Sequence, residues 1–207
     1  GFPAEAVQLV PGTGEAAGAR LGADPRVDGV VFTGSTEVAE IIHRTLARRG
    51  NVPLVAETGG QNAMVVDSSA LPEQVVADAL SSAFDSAGQR CSALRVLCLQ
   101  EEIADRVLPM LAGAMAELAT GDPSRLSTDV GPIIDAQAKA GLDAHLAKLE
   151  GSARLLARAP APDAPHGHFV APAAFEIGSI RDLGREVFGP VLHVVRFRGG
   201  ELGRLVE

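Results

Sequence analysis

The stretch VVFTGSTEVAEIIHRTLARRGNVPLVAETGG, residues 30–60, decides the fold class. Short apolar runs near its two ends, residues 30–33 and 53–57, have the length and composition of buried strands. The intervening residues 36–48 repeat apolar side chains at helical spacing: Val38, Ile41, Ile42 and Leu46. A strand, a helix and a second strand in this order indicate one edge of a doubly wound α/β sheet.

The same alternation of short apolar runs and longer amphipathic stretches continues along the chain. It predicts further strands at residues 7–10, 63–66, 95–99 and 192–197, and further helices at 72–87, 102–118 and 137–149. Because the strand segments are continuously apolar, we expect both of their faces to be buried. A change of pattern near residues 56–60 divides the chain into a first domain, residues 1–56, and a longer α/β domain, residues 57–207.

Composition narrows the classes of protein to which the chain could belong. Lys and Arg total 18 against 26 Asp and Glu, a net charge of −8, so we expect no nucleic-acid partner, which would require a basic surface. No apolar run reaches the ~18 residues of a membrane span, so no membrane contact is expected in this segment. With only two cysteines there is no disulfide framework, which favours a reducing compartment and a cytoplasmic location.

The first methionine is Met64, and the last residues only begin a helical pattern. We therefore expect the chain to be a segment of a longer protein.

Three local patterns could carry chemistry, and the first is Thr33-Gly34-Ser35-Thr36, between a predicted strand and a predicted helix. A glycine permits a tight turn there, and free N–H groups at a helix N-terminus attract phosphate. The alternative is an ordinary helix cap, in which Ser35 or Thr36 accepts a backbone hydrogen bond. The spacing alone favours the cap, because the six-position glycine fingerprint of dinucleotide folds is absent.

The second pattern is Glu57, which ends a predicted strand and precedes Thr58-Gly59-Gly60. Open α/β folds bind ligands at the carboxyl ends of their strands, and a carboxylate there could act as a general base. A solvated glutamate that opens a glycine turn is the other interpretation.

The third pattern is Cys91, within Ser86-Ala87-Gly88-Gln89-Arg90-Cys91-Ser92. Small residues in a turn between a helix and a strand would leave its sulfur accessible, as a reactive thiol requires. Cys98, between Leu97 and Leu99 in a predicted strand, is expected to be an inert core thiol. The spacing of the cysteines and of His166 and His168 supports no metal site.

Taken in order, these motifs resemble the aldehyde dehydrogenase superfamily. The resemblance rests on VFTGSTEV (residues 31–38), ETGGQN (57–62), GQRC (88–91) and EVFGPV (186–191), and it runs over essentially the whole chain. The longer segments 62–75 and 81–92 are most similar to the 1-pyrroline-5-carboxylate, or L-glutamate γ-semialdehyde, dehydrogenases, as in the C-terminal enzyme of bifunctional proline-utilization proteins. The implied fold is an edge of a Rossmann-type NAD-binding domain followed by most of an α/β catalytic domain.

The resemblance implies a role for each motif residue. Cys91 would be the nucleophile that forms a thioester, and Glu57 would activate the water that hydrolyses it. Thr33, Gly34 and Ser35 would lie near the cofactor pyrophosphate. Glu186 would hold the nicotinamide ribose, and Phe188 would line the same pocket. Ser92 would contact the carboxylate of the aldehyde substrate, and the cofactor would be NAD, with NADP also possible.

The same resemblance places part of the cofactor site and the oxyanion-hole asparagine upstream of Gly1, and the substrate-anchoring loop and oligomerisation segment downstream. We therefore expect the isolated chain to be inactive, and the protein that carries it to be a homo-oligomeric enzyme, with a proline dehydrogenase domain possible in the same chain. Two alternatives stay open. One is another aldehyde dehydrogenase, hydrolytic or acylating; Glu57 counts against the acylating type, which needs no hydrolytic base. The other is a non-catalytic assembly module.

Overall fold

The computed structural model describes residues 1–162 and 166–206. The chain divides into two compact units, Gly1–Gly59 and Gly60–Glu207. Assignment of the first segment to cofactor binding and of the second to catalysis stays a prediction.

The first unit contains a two-stranded parallel sheet of β1 (Val30–Thr33) and β2 (Leu54–Glu57). A short helix that was not predicted, α1 (Ala19–Ala23), precedes β1. The predicted helix, α2 (Thr36–Ala47), connects the two strands. In the register of the sheet, Thr33 lies opposite Glu57, so both predicted site segments of this unit leave the same edge of the sheet.

Two expectations for the first unit are wrong. Residues 7–10 form no strand, because the sheet of this unit pairs only β1 with β2 and offers them no partner. The strands are also not buried on both faces. Val31 and Val55, which are register partners, are 81% and 54% exposed, because within this unit no second layer covers their face of the sheet.

The second unit is built on a five-stranded sheet in the order β3-β4-β7-β6-β5. Its strands are β3 (Ala63–Val66), β4 (Val96–Gln100), β5 (Arg154–Arg158), β6 (Ala173–Glu176) and β7 (Val191–Phe197). All neighbours are parallel except β5, which is antiparallel to β6. The central strands β4 and β7 are buried almost throughout, which confirms the expectation for continuously apolar strands at these two positions. For β3 the expectation is wrong, because this strand lies at the edge of the sheet and Val65 is 46% exposed.

The long helices of this unit are α3 (Pro72–Phe84), α4 (Glu101–Ala116) and α5 (Ala136–Ser152), and α6 (Leu202–Val206) follows the last strand. Pro72 occupies the first turn of α3, where its missing N–H costs nothing. The predicted continuation of this helix to residue 87 is wrong. Ser86 and Ala87 have φ values of 55° and 54°, in the left-handed region, so the chain turns sharply before Cys91.

Candidate active site

Cys91 lies in the exposed turn between α3 and β4, and its side chain is solvent-accessible, as predicted. Ser92 follows it and is also exposed. A thiol in such a position can be reached by a small electrophile. Cys98 differs in its exposure and in the pKa of its thiol. It lies in β4 with 0% exposure, and burial raises the pKa of its thiol to about 11.

Asn62 fixes Cys91 and the residues that follow it. Its side-chain amide donates to the carbonyl oxygens of Cys91, at 2.6 Å, and Ala93, at 3.0 Å. The backbone carbonyl of Asn62 accepts from the N–H groups of Arg95 and Val96, both at 3.0 Å. The segment before β3 therefore determines the path of the cysteine turn.

Gln89 anchors the other end of the turn. Its amide nitrogen donates to the carbonyl of Pro132 at 3.0 Å, and its amide oxygen accepts from the N–H of Ile134 at 2.9 Å. Cys91 is thus exposed on a loop whose flanks are bonded to two separate parts of the unit. Accessibility of the sulfur does not come from a loose loop.

Arg95 connects this turn to the segment that carries Glu186. Its side chain is fully buried, and Nε and Nη2 donate to Oε1 of Glu186 at 3.0 and 2.8 Å. The remaining donors go to three backbone carbonyls: Gly88 at 2.7 Å, Gly189 at 3.3 Å and Arg90 at 3.0 Å. A buried guanidinium is tolerated because it is both neutralised and fully hydrogen-bonded.

Glu186 and Phe188 both contact this guanidinium. The second carboxylate oxygen of Glu186 accepts from the N–H of Gly60 at 3.1 Å, and the side chain retains 15% exposure. The Phe188 ring is 45% exposed, and its centroid is 5.2 Å from Cζ of Arg95. A fixed carboxylate that keeps one lone pair free, beside an exposed aromatic ring, suits a hydroxyl and the flat base of a nucleoside.

A histidine pair connects β7 to α5, with the His193 ring buried and the His145 ring half-buried. His193 in β7 is bonded through Nδ1 to the carbonyl of Arg95 at 2.9 Å, and its Nε2 faces Nε2 of His145 at 2.9 Å. Burial, the largest cause, lowers the pKa of His193 to about 4, and burial also lowers the pKa of His145. Both rings are therefore neutral near pH 7.

The other predicted site residues belong to the first unit. Ser35 is the cap of α2, with Oγ accepting from the N–H of Val38 at 3.2 Å, so the cap interpretation is confirmed. Its hydroxyl hydrogen stays available to an anion. The Gly34 N–H donates to the carbonyl of Glu57 at 3.1 Å, and a Cβ on Gly34 would lie 2.5 Å from the ring of Phe32. Thr33 and Glu57 have exposed side chains.

The structure thus brings Cys91, Ser92, Glu186 and Phe188 together in the second unit, whereas Thr33, Gly34, Ser35 and Glu57 form a group in the first. Pairing of Glu57 with Cys91 across the two units stays a prediction. Sequence reasoning missed Arg95 and the role of Asn62. A signal was present for Arg95: a lone arginine at the start of an apolar strand must find a counter-charge when buried.

The structure describes neither a metal site nor a membrane span in residues 1–162 and 166–206. Within these ranges, no group of three or more His, Cys, Asp or Glu side chains is arranged to hold a metal ion. None of the helices in the same ranges combines the length and the apolar character needed to cross a bilayer.

Comparison with known proteins gives consistent matches over the whole chain. The profile described as "Aldehyde dehydrogenase family" matches residues 1–201. The bifunctional protein PutA of Klebsiella aerogenes is 55% identical over 218 residues, which cover 100% of this chain and 17% of that protein. The chain therefore spans about a sixth of the length of this curated relative.

Solved structures agree in fold. The crystal structure of proline utilization A from Bradyrhizobium japonicum superposes with a TM-score of 0.93 at 55% identity, covering 100% of this chain and 21% of that one. The structure of 1-pyrroline-5-carboxylate dehydrogenase from Thermus with bound NAD gives a TM-score of 0.83 at 29% identity, covering 96% and 39%. The predicted α/β class, with parallel sheets, is confirmed by these neighbours.

Proposed function

Because the chain belongs to the aldehyde dehydrogenase family, we propose that it supplies the nucleophile and part of the cofactor site of an NAD(P)-dependent enzyme that oxidises L-glutamate γ-semialdehyde to L-glutamate. The observation that carries this proposal is Cys91, an exposed thiol in a turn held by Asn62, Gln89 and Arg95. The similarity to PutA and to 1-pyrroline-5-carboxylate dehydrogenase supports the choice of aldehyde and a role in proline catabolism.

The chemistry follows from the residue types. The Cys91 thiolate adds to the aldehyde carbon, forming a C–S bond and an alkoxide on the former carbonyl oxygen. A bound nicotinamide dinucleotide supplies the acceptor for the hydride that leaves this carbon. The Cys91 adduct is then a thioester, and Glu57 takes a proton from the water that attacks it. Hydrolysis breaks the C–S bond, releases the carboxylic acid and restores Cys91.

Each unit, taken by itself, carries residues whose chemistry suits part of a dinucleotide. Glu186 keeps one lone pair free for a ribose hydroxyl while Arg95 and Gly60 fix its position. Ser35 caps a twelve-residue helix whose N-terminus carries partial positive charge, which suits a pyrophosphate. Ser92, exposed beside Cys91, would contact the substrate carboxylate.

The test uses the product of the complete reading frame that carries this chain, assayed for NAD reduction with L-glutamate γ-semialdehyde. Cys91→Ser should abolish both the first turnover and the steady state. Glu57→Gln should leave a burst of one reduced cofactor per site and then lower the steady-state rate by about 10²-fold or more, because acylation proceeds but hydrolysis stalls. Cys98→Ala is the matched cysteine control and should retain activity.

Each alternative has its own outcome in this assay. Activity that survives Cys91→Ser would contradict the proposal and leave an assembly module as the better interpretation. Turnover that requires coenzyme A would indicate an acylating enzyme. We further propose that the isolated 207-residue chain lacks activity, since the relatives are much longer; aldehyde-dependent NAD reduction by the purified chain would contradict this.

A further inference from the structure

We propose that Arg95 is a positioning residue that holds the Cys91 turn and Glu186 in one fixed arrangement through a single guanidinium group. The inference rests on the proposed function, in which Cys91 is the nucleophile and Glu186 a cofactor ligand. It adds a requirement that the motifs around Cys91 and Glu186 do not show. The nucleophile and the cofactor ligand both depend on the same buried cation.

The guanidinium of Arg95 is saturated. It has five N–H groups, and it makes five hydrogen bonds: two to Glu186 and one each to the carbonyls of Gly88, Arg90 and Gly189. Its side chain is 1% exposed, so water cannot replace a lost partner. The planar group therefore fixes the turn before Cys91 relative to the Glu186–Gly189 segment.

The bond to Arg90 orients the nucleophile itself. The carbonyl of Arg90 and the N–H of Cys91 belong to one trans peptide unit, in which the two groups point in opposite directions. Holding the carbonyl on Arg95 therefore turns the Cys91 N–H away from the guanidinium. Among the described residues nothing accepts a hydrogen bond from this N–H. It is free to face negative charge that develops on an attacked carbonyl oxygen.

The bond to Gly88 stabilises strained backbone. Ser86, Ala87 and Gly88 are three successive residues with positive φ, at 55°, 54° and 64°. For non-glycine residues this conformation costs about 1–3 kcal/mol each and persists only where surrounding contacts enforce it. Arg95 supplies such a contact at the last carbonyl of the turn. Loss of the guanidinium should let the turn relax and displace Cys91.

Lysine and methionine at position 95 separate the two functions of the guanidinium. A lysine keeps the charge that pairs with Glu186 but lacks the fork that reaches three carbonyls. Arg95→Lys should keep the KM for NAD within about threefold of wild type and slow the burst at saturating NAD by about tenfold or more, because a small misplacement of a reacting group is costly. Arg95→Met should impair both quantities, and Glu186→Gln should raise the KM for NAD with little effect on the burst.

The experiment uses the complete reading-frame product, with Arg125→Lys at an exposed arginine as the control. If Arg95 only stabilised the fold, Arg95→Lys would lower the yield of folded protein, but the burst of the folded enzyme would not slow while the KM for NAD stayed unchanged. Such a result would overturn the inference. If Arg95→Met does not fold, Arg95→Lys decides the question. A lost burst in Cys91→Ser together with wild-type kinetics in the Arg95 variants would overturn this inference alone. An intact burst in Cys91→Ser would overturn the proposed function, and this inference with it.

Discussion

Arg95 donates two hydrogen bonds to one oxygen of Glu186, at 3.0 and 2.8 Å, while the other oxygen accepts from the N–H of Gly60. The pair is buried, with side-chain exposures of 1% and 15%. Water therefore cannot replace a hydrogen-bond partner that the Arg95 guanidinium loses. The burial of its guanidinium distinguishes the Arg95–Glu186 pair from the ion pairs on the surface.

We expect Glu186→Ala to lower the free energy of unfolding of the 207-residue chain by about 3–5 kcal/mol, because it leaves a buried cation without its counter-charge. Glu150→Ala is the matched control. Glu150 pairs with Arg158 where the two side chains are 50% and 39% exposed, and such a pair is worth about 0–1 kcal/mol. Urea denaturation measures both variants. Equal losses would contradict the structural distinction.

Alkylation should separate the two cysteines. At pH 8, only about one in a thousand Cys98 thiols is ionised, given a pKa of about 11, and that side chain has no exposed surface. We expect iodoacetamide to modify exposed Cys91 at least about 100-fold faster, as followed by peptide mass spectrometry. In urea, both should react. Slow and equal modification of the folded chain would favour the assembly interpretation over the enzymatic one.

The elements that the sequence predicted well are those in which local pattern and tertiary environment agree. The strand at β1 has the predicted bounds, and β4 and β7 are apolar and central. Residues 7–10 have a strand-like composition but no neighbouring strand, and pairing, not composition, makes a strand. β5 and β6 were missed because charged residues bound the first, which shortens its apolar run, and two alanines, which are depleted in strands, open the second.

The site residues also fall into two groups, those that a local motif predicts and those that only the tertiary structure shows. Cys91, Glu186 and Phe188 stand in recognisable local motifs, and the structure brings them together. Arg95 and Asn62 act through bonds to residues far away in the sequence, Glu186 and Cys91 respectively, so no local pattern could reveal their partners. Glycine spacing alone likewise could not show that Gly88 needs a positive φ, which depends on the packing around the turn.

Gly88 should be irreplaceable for steric reasons. Its φ is +64°, and an added Cβ would lie 2.3 Å from the carbonyl oxygen of Gly189 and 2.9 Å from that of Ala83. These are backbone atoms that cannot move aside cheaply. We expect Gly88→Ala to cost about 3 kcal/mol or more in the free energy of unfolding and to slow the burst.

The matched control is Gly113→Ala in α4, where an added methyl group meets nothing within 4 Å. It should increase stability by about 0.5–1 kcal/mol, since alanine is the better helix former. Both variants can be measured by urea denaturation. A neutral Gly88→Ala would contradict the left-handed turn before Cys91.

Stability should fall at acidic pH because of the histidine pair. The Arg95 carbonyl can only accept, so Nδ1 of His193 carries the proton, its Nε2 accepts, and Nε2 of His145 donates. A second proton on His193 would set two N–H groups against each other at 2.9 Å. Burial is the main reason for the low pKa of His193, and the charges of His145 and Arg95 lower it further. Burial also lowers the pKa of His145, and Lys148 adds to that effect.

The sign follows from linkage. The pKa of His193 drops from its ordinary 6.5 to about 4 on folding, so the unfolded chain binds more protons between these values. The contribution of neutral His193 to the free energy of unfolding is fully present above pH 6.5. It is lost as the pH falls towards 4, a loss of about 3 kcal/mol at most. His193→Asn should weaken this dependence, since an amide can still donate to the Arg95 carbonyl but does not titrate. Urea denaturation at pH 7 and pH 5 measures the difference, and His43→Asn, at an exposed histidine, is the control. Equal slopes for wild type and His193→Asn would show that other groups govern the acid response.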